Sequence, residues 1–416
     1  MPPRKRGKSS APVTEVSTLW SFSKQAVKCI APDGDGNVFV SFGTCIYKIS
    51  DGKLTVVAGG DEQGYLDGPH GQFADAVGIA VDTDGCLIVT ECGAYSCIRK
   101  VALDGQVSTV AGDPEGNCGH ADGEGARALF QGPVAVTLDG EGNTLVADSD
   151  NNCIRKVAPD GTVSTLAGGY ADVEHEGEGA EEVGGYADGT AAEARFDGPQ
   201  GVAVGADGSV YVADMNNHSI RKISRDGEVS TLAGCAPDVA NGEDGDGNTG
   251  GHVDGAGNDA RFNAPVDLAV DIDGTIVVAD SGNHCIRKVT PEGVVSTLAG
   301  PTDGNPLVSR GYVDGPANKA RFDGLQGVAI DMDGNVLLAD LSNGCVRMIT
   351  HTGLSRGAAV PRWPVGKPAL AANLMALLDD ERFADVSFGT QALLTFHTHP
   401  PHHSSRPAPT VPAAAH

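Results

Sequence analysis

The sequence is poor in aromatic side chains, in positive charge and in long apolar runs. Aromatic residues make up 5% of the 416 residues while glycine occurs 58 times, a composition that fits a chain with many tight turns. Only 29 lysines and arginines face 55 acidic residues, for a net charge of -26. This balance excludes a broad nucleic-acid surface, which needs clustered bases, so we do not expect nucleic acid among the partners. No apolar run of about 18 residues occurs, so no membrane span is expected.

What the sequence does contain is one unit written about six times. It reads VADSDNNCIRKVAPDGTVSTLAG at Val146–Gly168, and two close copies and one looser copy share this residue pattern. The close copies are Val212–Gly234 and Val278–Gly300, the looser copy is Val89–Gly112, and weaker copies surround Ile46 and Val346. A unit repeated at nearly fixed spacing indicates a repeat architecture, in which every copy builds the same substructure.

Each copy reads as four short antiparallel strands. In the copy around Ile220, apolar stretches alternate with the turn residues Asp207-Gly208, Asn216–His218 and Asp226-Gly227. Short strands separated by turns at regular intervals are typical of one blade of a β-propeller. We therefore predict an all-β protein with a six-bladed β-propeller over residues 14–360.

The connections between copies also repeat. Five contain Tyr or His, one further residue and Asp-Gly, followed by a short stretch that ends in Phe; the aspartates are Asp67, Asp122, Asp188, Asp254 and Asp314, and the phenylalanines are Phe73, Phe130, Phe196, Phe262 and Phe322. We predict that the Asp caps one helical turn and that the Phe fills the seam between blades. Two connections are enlarged, and one of them duplicates itself within an acidic stretch, Gly168–Asp188. Such loops tolerate insertion and are typical places for binding.

The two ends of the repeat region complement each other. Thr14–Trp20 resembles the fourth-strand wording of Gly227–Ala233, whereas the last copy has a poor fourth strand at Gly353–Gly357. An open propeller would leave two exposed sheet edges. We therefore predict that Val16–Trp20 supplies the outer strand of the sixth blade.

Five of the ten cysteines occupy one equivalent position in the repeats, namely Cys45, Cys97, Cys153, Cys285 and Cys345. Equivalent positions in successive blades should lie too far apart for disulfides, so we expect reduced, packed thiols and an intracellular protein, cytoplasmic or nuclear. Residues 1–13 form a basic segment, predicted to be a disordered arm, with a nuclear-localisation patch as the alternative. The segment lacks the apolar stretch of a secretory signal.

Several polar residues are candidates for chemistry, and each has a structural alternative. Four aspartates and one glutamate end the second strand of their copies, and the matching third strands carry arginines: Asp148, Asp214, Asp280, Asp340 and Glu91, with Arg155, Arg221, Arg287, Arg347 and Arg99. They could be ligands, but their place before a turn favours turn capping, and the arginines are predicted to bond these acids or nearby carbonyls.

A channel metal is the other possibility. The residue pairs that begin the innermost strands are Lys28-Cys29, Val77-Gly78, Val134-Ala135, Gln200-Gly201, Val266-Asp267 and Gln326-Gly327. Only Asp267 among them is acidic, which is a weak basis for a divalent site. Asp244–Gly250 resembles a calcium loop but lacks its Gly and Glu positions, and the tail histidines from His397 to His403 indicate disorder rather than a metal site. We therefore assign no catalytic, cofactor-binding or metal residue, and no cofactor.

The wording VADxxNHxIRKV followed by DGxVSTLAG resembles NHL repeats, with Asn217-His218 and Asn283-His284 as the characteristic pair. The resemblance implies a six-bladed propeller. After a Pro-rich linker at residues 361–369, residues 370–399 resemble the start of a BTB/POZ domain, and residues 400–416 have a disordered composition. Similar plant and algal fusions are thought to be adaptors in which BTB dimerises or docks a ubiquitin ligase. This BTB-like segment is too short for either role, so self-association through it is not expected.

The sequence therefore predicts a non-enzymatic scaffold that binds a protein or peptide. The expected contact surface is the face that carries the Tyr/His-x-Asp-Gly connections, because loops on a rigid framework commonly carry function. The alternative is a metal-dependent hydrolase or lyase of the six-bladed propeller type, with its site at the channel mouth.

Overall fold

A computed structural model of the chain describes residues 13–22, 26–169, 184–234, 250–302 and 310–355. The basic arm before residue 13, residues 170–183 of the acidic stretch, the calcium-like loop up to residue 249, the linker, the BTB-like segment and the tail histidines lie outside these residues. Among the described residues, no helix is long and apolar enough to cross a membrane.

The described residues form six antiparallel sheets, one for each copy of the repeat. The innermost strands of blades 1 to 6 are Cys29–Pro32, Ala76–Val81, Pro133–Leu138, Pro199–Val204, Pro265–Val270 and Leu325–Ile330. The second strands are Val38–Phe42, Leu87–Glu91, Thr144–Asp148, Val210–Asp214, Ile276–Asp280 and Val336–Asp340. The third strands are Cys45–Ser50, Cys97–Val101, Cys153–Val157, Ser219–Ile223, Cys285–Val289 and Cys345–Thr350.

The outer strands complete the blades. They are Lys53–Gly59, Gln106–Ala111, Thr162–Gly168, Glu228–Ala233 and Val294–Ala299 in blades 1 to 5, and Glu15–Ser21 in blade 6. Two-residue strands add a fifth member to blades 2 to 6; they are Gly68–Pro69, Gly123–Glu124, Gly189–Thr190, Gly255–Ala256 and Gly315–Pro316. Short 3₁₀ turns occur at Gly125–Arg127, Ser149–Asn151, Gly257–Asp259 and Ser281–Asn283. The predicted fold class is confirmed.

The strand order fixes which loops share a face. Successive strands of a blade are antiparallel, so the connection between blades and the turn between strands two and three emerge at the same end. We call this end the connection face. The turns between strands one and two and between strands three and four form the opposite end, which we call the turn face.

The core lies in the seams between blades. Phe130 is fully buried and packs with residues of blade 2, such as Ile98, and of blade 3, such as Val146. The equivalent phenylalanines of the other four connections are equally buried. The prediction that these rings fill the seams is confirmed, and burying each one stabilises the fold by roughly 1.5–3 kcal/mol.

Innermost strands approach one another closely where their third residue is glycine, as in blades 2, 4 and 6. A Cβ atom on Gly78 would lie 2.3 Å from the carbonyl oxygen of Val134 in the next blade, and one on Gly201 would lie 2.7 Å from Cα of Asp267. A larger residue at either place would push two blades apart. These glycines therefore set the width of the ring.

The ring is closed by the N-terminal strand, as predicted. Glu15–Ser21 pairs antiparallel with Cys345–Thr350, with Val16 opposite Ile349, and Gly315–Pro316 then pairs with Glu15 and Val16. The side chain of Val16 is 2% exposed and packs in the core between blades 5 and 6. Sequence-distant segments thus make one blade.

Deleting residues 1–21 is expected to lower the melting temperature sharply, because it removes the whole outer strand of blade 6 and exposes its third strand. Deleting residues 1–12 should leave the melting temperature nearly unchanged, since Glu15–Ser21 is retained. Thermal denaturation followed by circular dichroism compares the two truncations. Equal melting temperatures would contradict the closure seen here.

Candidate functional site

The most conspicuous polar residues form a cluster that is repeated in blades 2 to 6. In blade 3 the fully buried Arg155 donates from Nη1 to Asp148 Oδ2 at 2.9 Å and to the Leu129 carbonyl at 2.9 Å. Its Nη2 donates to Asp122 Oδ1 at 2.7 Å and to the Ala121 carbonyl at 2.8 Å. We call this arrangement the arginine cluster. It ties the third strand to the second strand and to the connection that enters the blade.

Aromatic rings enclose the guanidinium groups. The Cζ atom of Arg221 lies 4.6 Å from the ring centre of Tyr186 and 5.2 Å from that of Phe196. Arg347 lies between Tyr312 and Phe322 in the same way, at 4.9 and 5.2 Å. A cation against desolvated ring faces gains electrostatic attraction. The connection Phe therefore completes the arginine cluster in blades 2 to 6, and a connection Tyr joins it in blades 2, 4 and 6.

The predicted helix cap at the connection Asp is wrong. The 3₁₀ turn Gly125–Arg127 follows Glu124 and has no side-chain cap. Asp122 instead accepts hydrogen bonds from Arg155 and from the backbone N–H of Thr165 on the outer strand, the latter at 3.1 Å. The side chain joins two strands because the connection folds back over the outer edge of its blade.

The second-strand acid also has a wider role than the turn cap predicted for it. Asp148 accepts from the backbone N–H of Gln131 at 2.8 Å and from Asn151 Nδ2 at 2.8 Å, besides Arg155. It makes no capping bond to the 3₁₀ turn that follows it. Burial raises the pKa of Asp148 to about 6, so the carboxyl is mainly ionised at neutral pH and matches the charge of the arginine. The predicted bond between the arginines and these acids is present in each of the five clusters.

The residue after the turn Asn joins neighbouring blades. Asn152 and His218 adopt left-handed backbone conformations, with φ of 51° and 49°. Asn152 Oδ1 accepts from the backbone N–H of Gly198 at 2.8 Å, and His218 Nδ1 accepts from Ala264 N–H at 2.9 Å. The Asn-His pair of the repeat thus has two structural roles, since the Asn binds the second-strand acid and the His reaches the next blade.

The equivalent cysteines are buried beside these clusters. Cys153 and Cys285 are fully buried, and desolvation raises their thiol pKa well above the ordinary value. The nearby acids Asp148 and Asp280 act in the same direction. Such thiols stay protonated and unreactive at neutral pH, in agreement with their predicted packing role.

The channel mouth brings together the first residues of the innermost strands, as predicted. A cavity of about 220 Å³ is lined by inner-strand residues of all six blades, including Lys28, Cys29, Gln200, Asp267 and Gln326. Among the described side chains, no group of three or more His, Cys, Asp and Glu is arranged to hold a metal ion.

Asp267 is the unusual residue of this channel. It occupies a position that is glycine in blades 2, 4 and 6, and its Oδ2 accepts from the backbone N–H of Val328 in blade 6 at 2.8 Å. Its Oδ1 accepts from Leu268 N–H at 2.9 Å. Burial raises the pKa of Asp267 to about 7, although these two hydrogen bonds oppose the shift. The carboxyl therefore fastens blade 5 to blade 6 and titrates near neutral pH.

Comparison with known proteins agrees with this geometry. The family model of the teneurin NHL domain matches residues 121–224 and 218–290. Teneurin-3 of Danio rerio is 29% identical over 221 residues, which is 51% of this chain and 8% of that protein. NHL repeat-containing protein 2 of Bos taurus is 29% identical over 164 residues, 38% of this chain and 21% of that protein. The chain thus spans a small part of these relatives.

Solved structures share the fold at low identity. An auxiliary nutrient binding protein of Bacteroides thetaiotaomicron is 14% identical with a TM-score of 0.57, over 81% of this chain and 76% of that chain. A gluconolactonase of Xanthomonas campestris is 14% identical with a TM-score of 0.50, over 80% of this chain and 88% of that chain. Likeness at this identity concerns the fold alone.

The six sheets and their shared channel define an all-β six-bladed propeller. The Asn-His turns and arginine clusters recur in the region that the teneurin NHL model matches. The chain is an NHL-repeat propeller.

Replacing Arg221 by Ala is expected to destabilise the fold by about 3–5 kcal/mol, because the buried Asp214 would lose its charged partner. Lys222→Ala is the matched control, since its ammonium lies 3.8 Å from an exposed Asp207, and it should change stability by less than about 1 kcal/mol. Chemical denaturation measures both. Similar losses in the two variants would contradict a structural role for the arginine cluster.

Asp267 predicts a pH dependence of stability. Its pKa is about 7 in the fold against an ordinary 3.8, so the folded chain binds a proton more tightly than the unfolded chain between these values. The contribution of this group to stability therefore falls as pH rises from about 4 to 7. Asp267→Asn lacks this loss of stability at high pH. Its free energy of unfolding in urea, minus that of wild type, should therefore be larger at pH 8 than at pH 5. A wild-type-to-variant difference that does not change with pH would contradict the assignment.

Proposed function

We propose that this chain is a non-enzymatic binding module that takes a protein or peptide partner on its connection face. The observation that supports this most directly is a set of apolar side chains that the connections hold out to solvent. Leu66, Val253 and Val313 are 56%, 47% and 44% exposed. Each occupies the variable place in a Tyr/His-x-Asp-Gly segment, one in each of three blades.

These apolar side chains sit on a rigid base. Val313 directly precedes Asp314, which accepts bonds from Arg347 Nη2 at 2.6 Å and from the backbone N–H of Thr18 at 3.1 Å. Val313 also bridges to Arg321 through the backbone, and its carbonyl accepts from Arg347. Apolar residues that are already ordered lose little conformational entropy when a partner covers them. A partner that binds here therefore does not have to immobilise a flexible loop, and association is favoured.

The acidic and basic residues that looked suited to catalysis are occupied with one another. In the arginine cluster the acid, the Asn and the guanidinium bond internally or to backbone groups. A group committed in this way holds the scaffold and is poorly placed to transfer protons. We propose an intracellular setting for the module on the basis of its buried thiols. An adaptor role through BTB depends on residues outside those the structure describes.

The proposal is tested with tagged full-length chain and two double variants. Val253→Lys with Val313→Lys places charge on the connections, while Ile272→Lys with Val294→Lys changes two similarly exposed residues, at 51% and 45%, one in a turn of blade 5 and one at the start of its outer strand, both at the turn-face end. We expect proteins that co-purify with wild type, identified by mass spectrometry, to be lost from the first double variant and kept by the second.

Equal retention by both double variants would contradict the proposed face. Metal analysis of the purified chain separates the binding module from the hydrolase or lyase alternative. A stoichiometric divalent ion that disappears in Asp267→Ala would favour that enzyme class and overturn the binding-module proposal.

A further inference from the structure

Blade 1 differs from the other five blades at its outer edge. In blades 2 to 6 a two-residue strand pairs with the outer strand, as Gly123–Glu124 does with Thr162 and Val163. Blade 1 has four strands, and among the described residues nothing pairs with the outer side of Lys53–Gly59 except at its end, where the Gly59 N–H meets the His70 carbonyl. An unpaired strand edge presents backbone donors and acceptors to solvent.

The sequence of blade 1 has changed at every place that would hold such a covering segment. The strand pairing of blade 1 can be compared with that of blade 3. Phe42 is equivalent to Asp148, Tyr47 to Arg155 and Val56 to Thr165. An aromatic group therefore replaces the arginine cluster: the rings of Phe42 and Tyr47 stack with centroids 4.4 Å apart. Phe22 packs edge-on against Phe42 at 5.0 Å.

The connection into blade 1 is also shorter than the others. It runs from Phe22 to Lys28 and contains no Tyr/His-x-Asp-Gly segment. In blade 3 the backbone N–H of Thr165 is bound by Asp122 of such a segment. The N–H of Val56 faces the same side by the shared register, and the described residues supply no equivalent carboxylate.

The exposed edge carries apolar side chains and adjoins a cavity. The side chain of Val56 is 52% exposed and that of Leu103 in blade 2 is 78% exposed. Both line a cavity of about 310 Å³ between blades 1 and 2, together with Val57, His70, Lys48 and Asp104. A strand edge beside a partly apolar cavity has the two elements by which sheets capture extended peptides, namely backbone pairing and a pocket for alternate side chains.

We propose that the outer edge of blade 1 binds an extended peptide segment of a partner protein, which adds to the sheet as a fifth strand. The five internal examples define its direction, because each covering segment runs antiparallel to the outer strand. The same examples indicate the chemistry of the bound peptide. In blades 2 to 6 the covering segment places an Asp against Thr and Arg, whereas in blade 1 the bound peptide places an apolar side chain against Val56 and Tyr47.

The site lies at the outer edge of blade 1, whereas Val253 and Val313 belong to the segments that cover the outer strands of blades 5 and 6. Failure of this proposal and failure of the proposed function are therefore distinguishable, since Val253→Lys with Val313→Lys should leave the edge of blade 1 unchanged.

The first test is hydrogen exchange on the full-length chain. The amides of Leu54 and Val56 are expected to exchange faster than those of Val163 and Thr165, whose edge is covered. Equally slow exchange at low protein concentration would show that other residues of the chain cover the edge, and would overturn the proposal. Protection that appears only at high concentration, with a dimeric mass in light scattering, would assign the edge to a second copy and overturn it likewise.

The second test uses a displayed library of random twelve-residue peptides as the probe, selected against the full-length chain. We expect selected peptides to carry apolar residues at alternate positions and to bind at least about tenfold more weakly to Val56→Pro, which removes one outward N–H at an edge position where proline is tolerated. Val56→Lys is the second variant, because a charged side chain opposes edge pairing without restricting the backbone.

Ile272→Lys is the matched control, since Ile272 is 51% exposed and lies on the turn face of blade 5, and it should bind the selected peptides as wild type does. Selected peptides that bind wild type and both Val56 variants equally, or a library that yields no binder, would overturn the proposal.

Discussion

A buried guanidinium group is the constraint on which most of this propeller depends. An unpaired arginine inside a protein is costly, so each one requires two carboxylates, backbone carbonyls and aromatic faces around it. Those partners come from the second strand and from the connection. Satisfying one side chain therefore fixes three segments at once. The same residue pattern recurs in these copies because the partners of each arginine come from within its own copy.

Repetition also separates structural residues from candidate functional ones. A bond such as Arg155 to Asp148 is needed in every blade that uses this design, whereas a binding site is needed once. Departures from the pattern are therefore more informative than the pattern. Asp267 stands where three other blades have glycine, and Val56 stands where five other blades have threonine. The first departure lies where blade 5 meets blade 6, and the second lies at an outer edge that no described segment covers.

The fold could be predicted from the sequence because strand length, turn residues and repeat number all indicate the same architecture. Ring closure by Val16–Trp20 could be predicted for the same reason, since the segment carries the fourth-strand wording. The role of Asp122 could not, because its sequence position before a short turn favours capping, and only the folded-back connection brings Arg155 close to it. The channel position of Asp267 was predictable, but its raised pKa was not, since that depends on burial between two blades.

Blade 1 shows why losing one part of the arginine cluster requires losing all of it. Without a covering segment among the described residues, an arginine at position 47 would lack one carboxylate and two carbonyls, and without that arginine an acid at position 42 would lack its cation. Replacing both with stacked aromatic rings removes the charges together and keeps the volume filled. The same change removes the groups that hold a covering strand in place. A blade adapted in this way keeps a stable interior and an edge open to pairing, which is the combination that binding of an external strand requires.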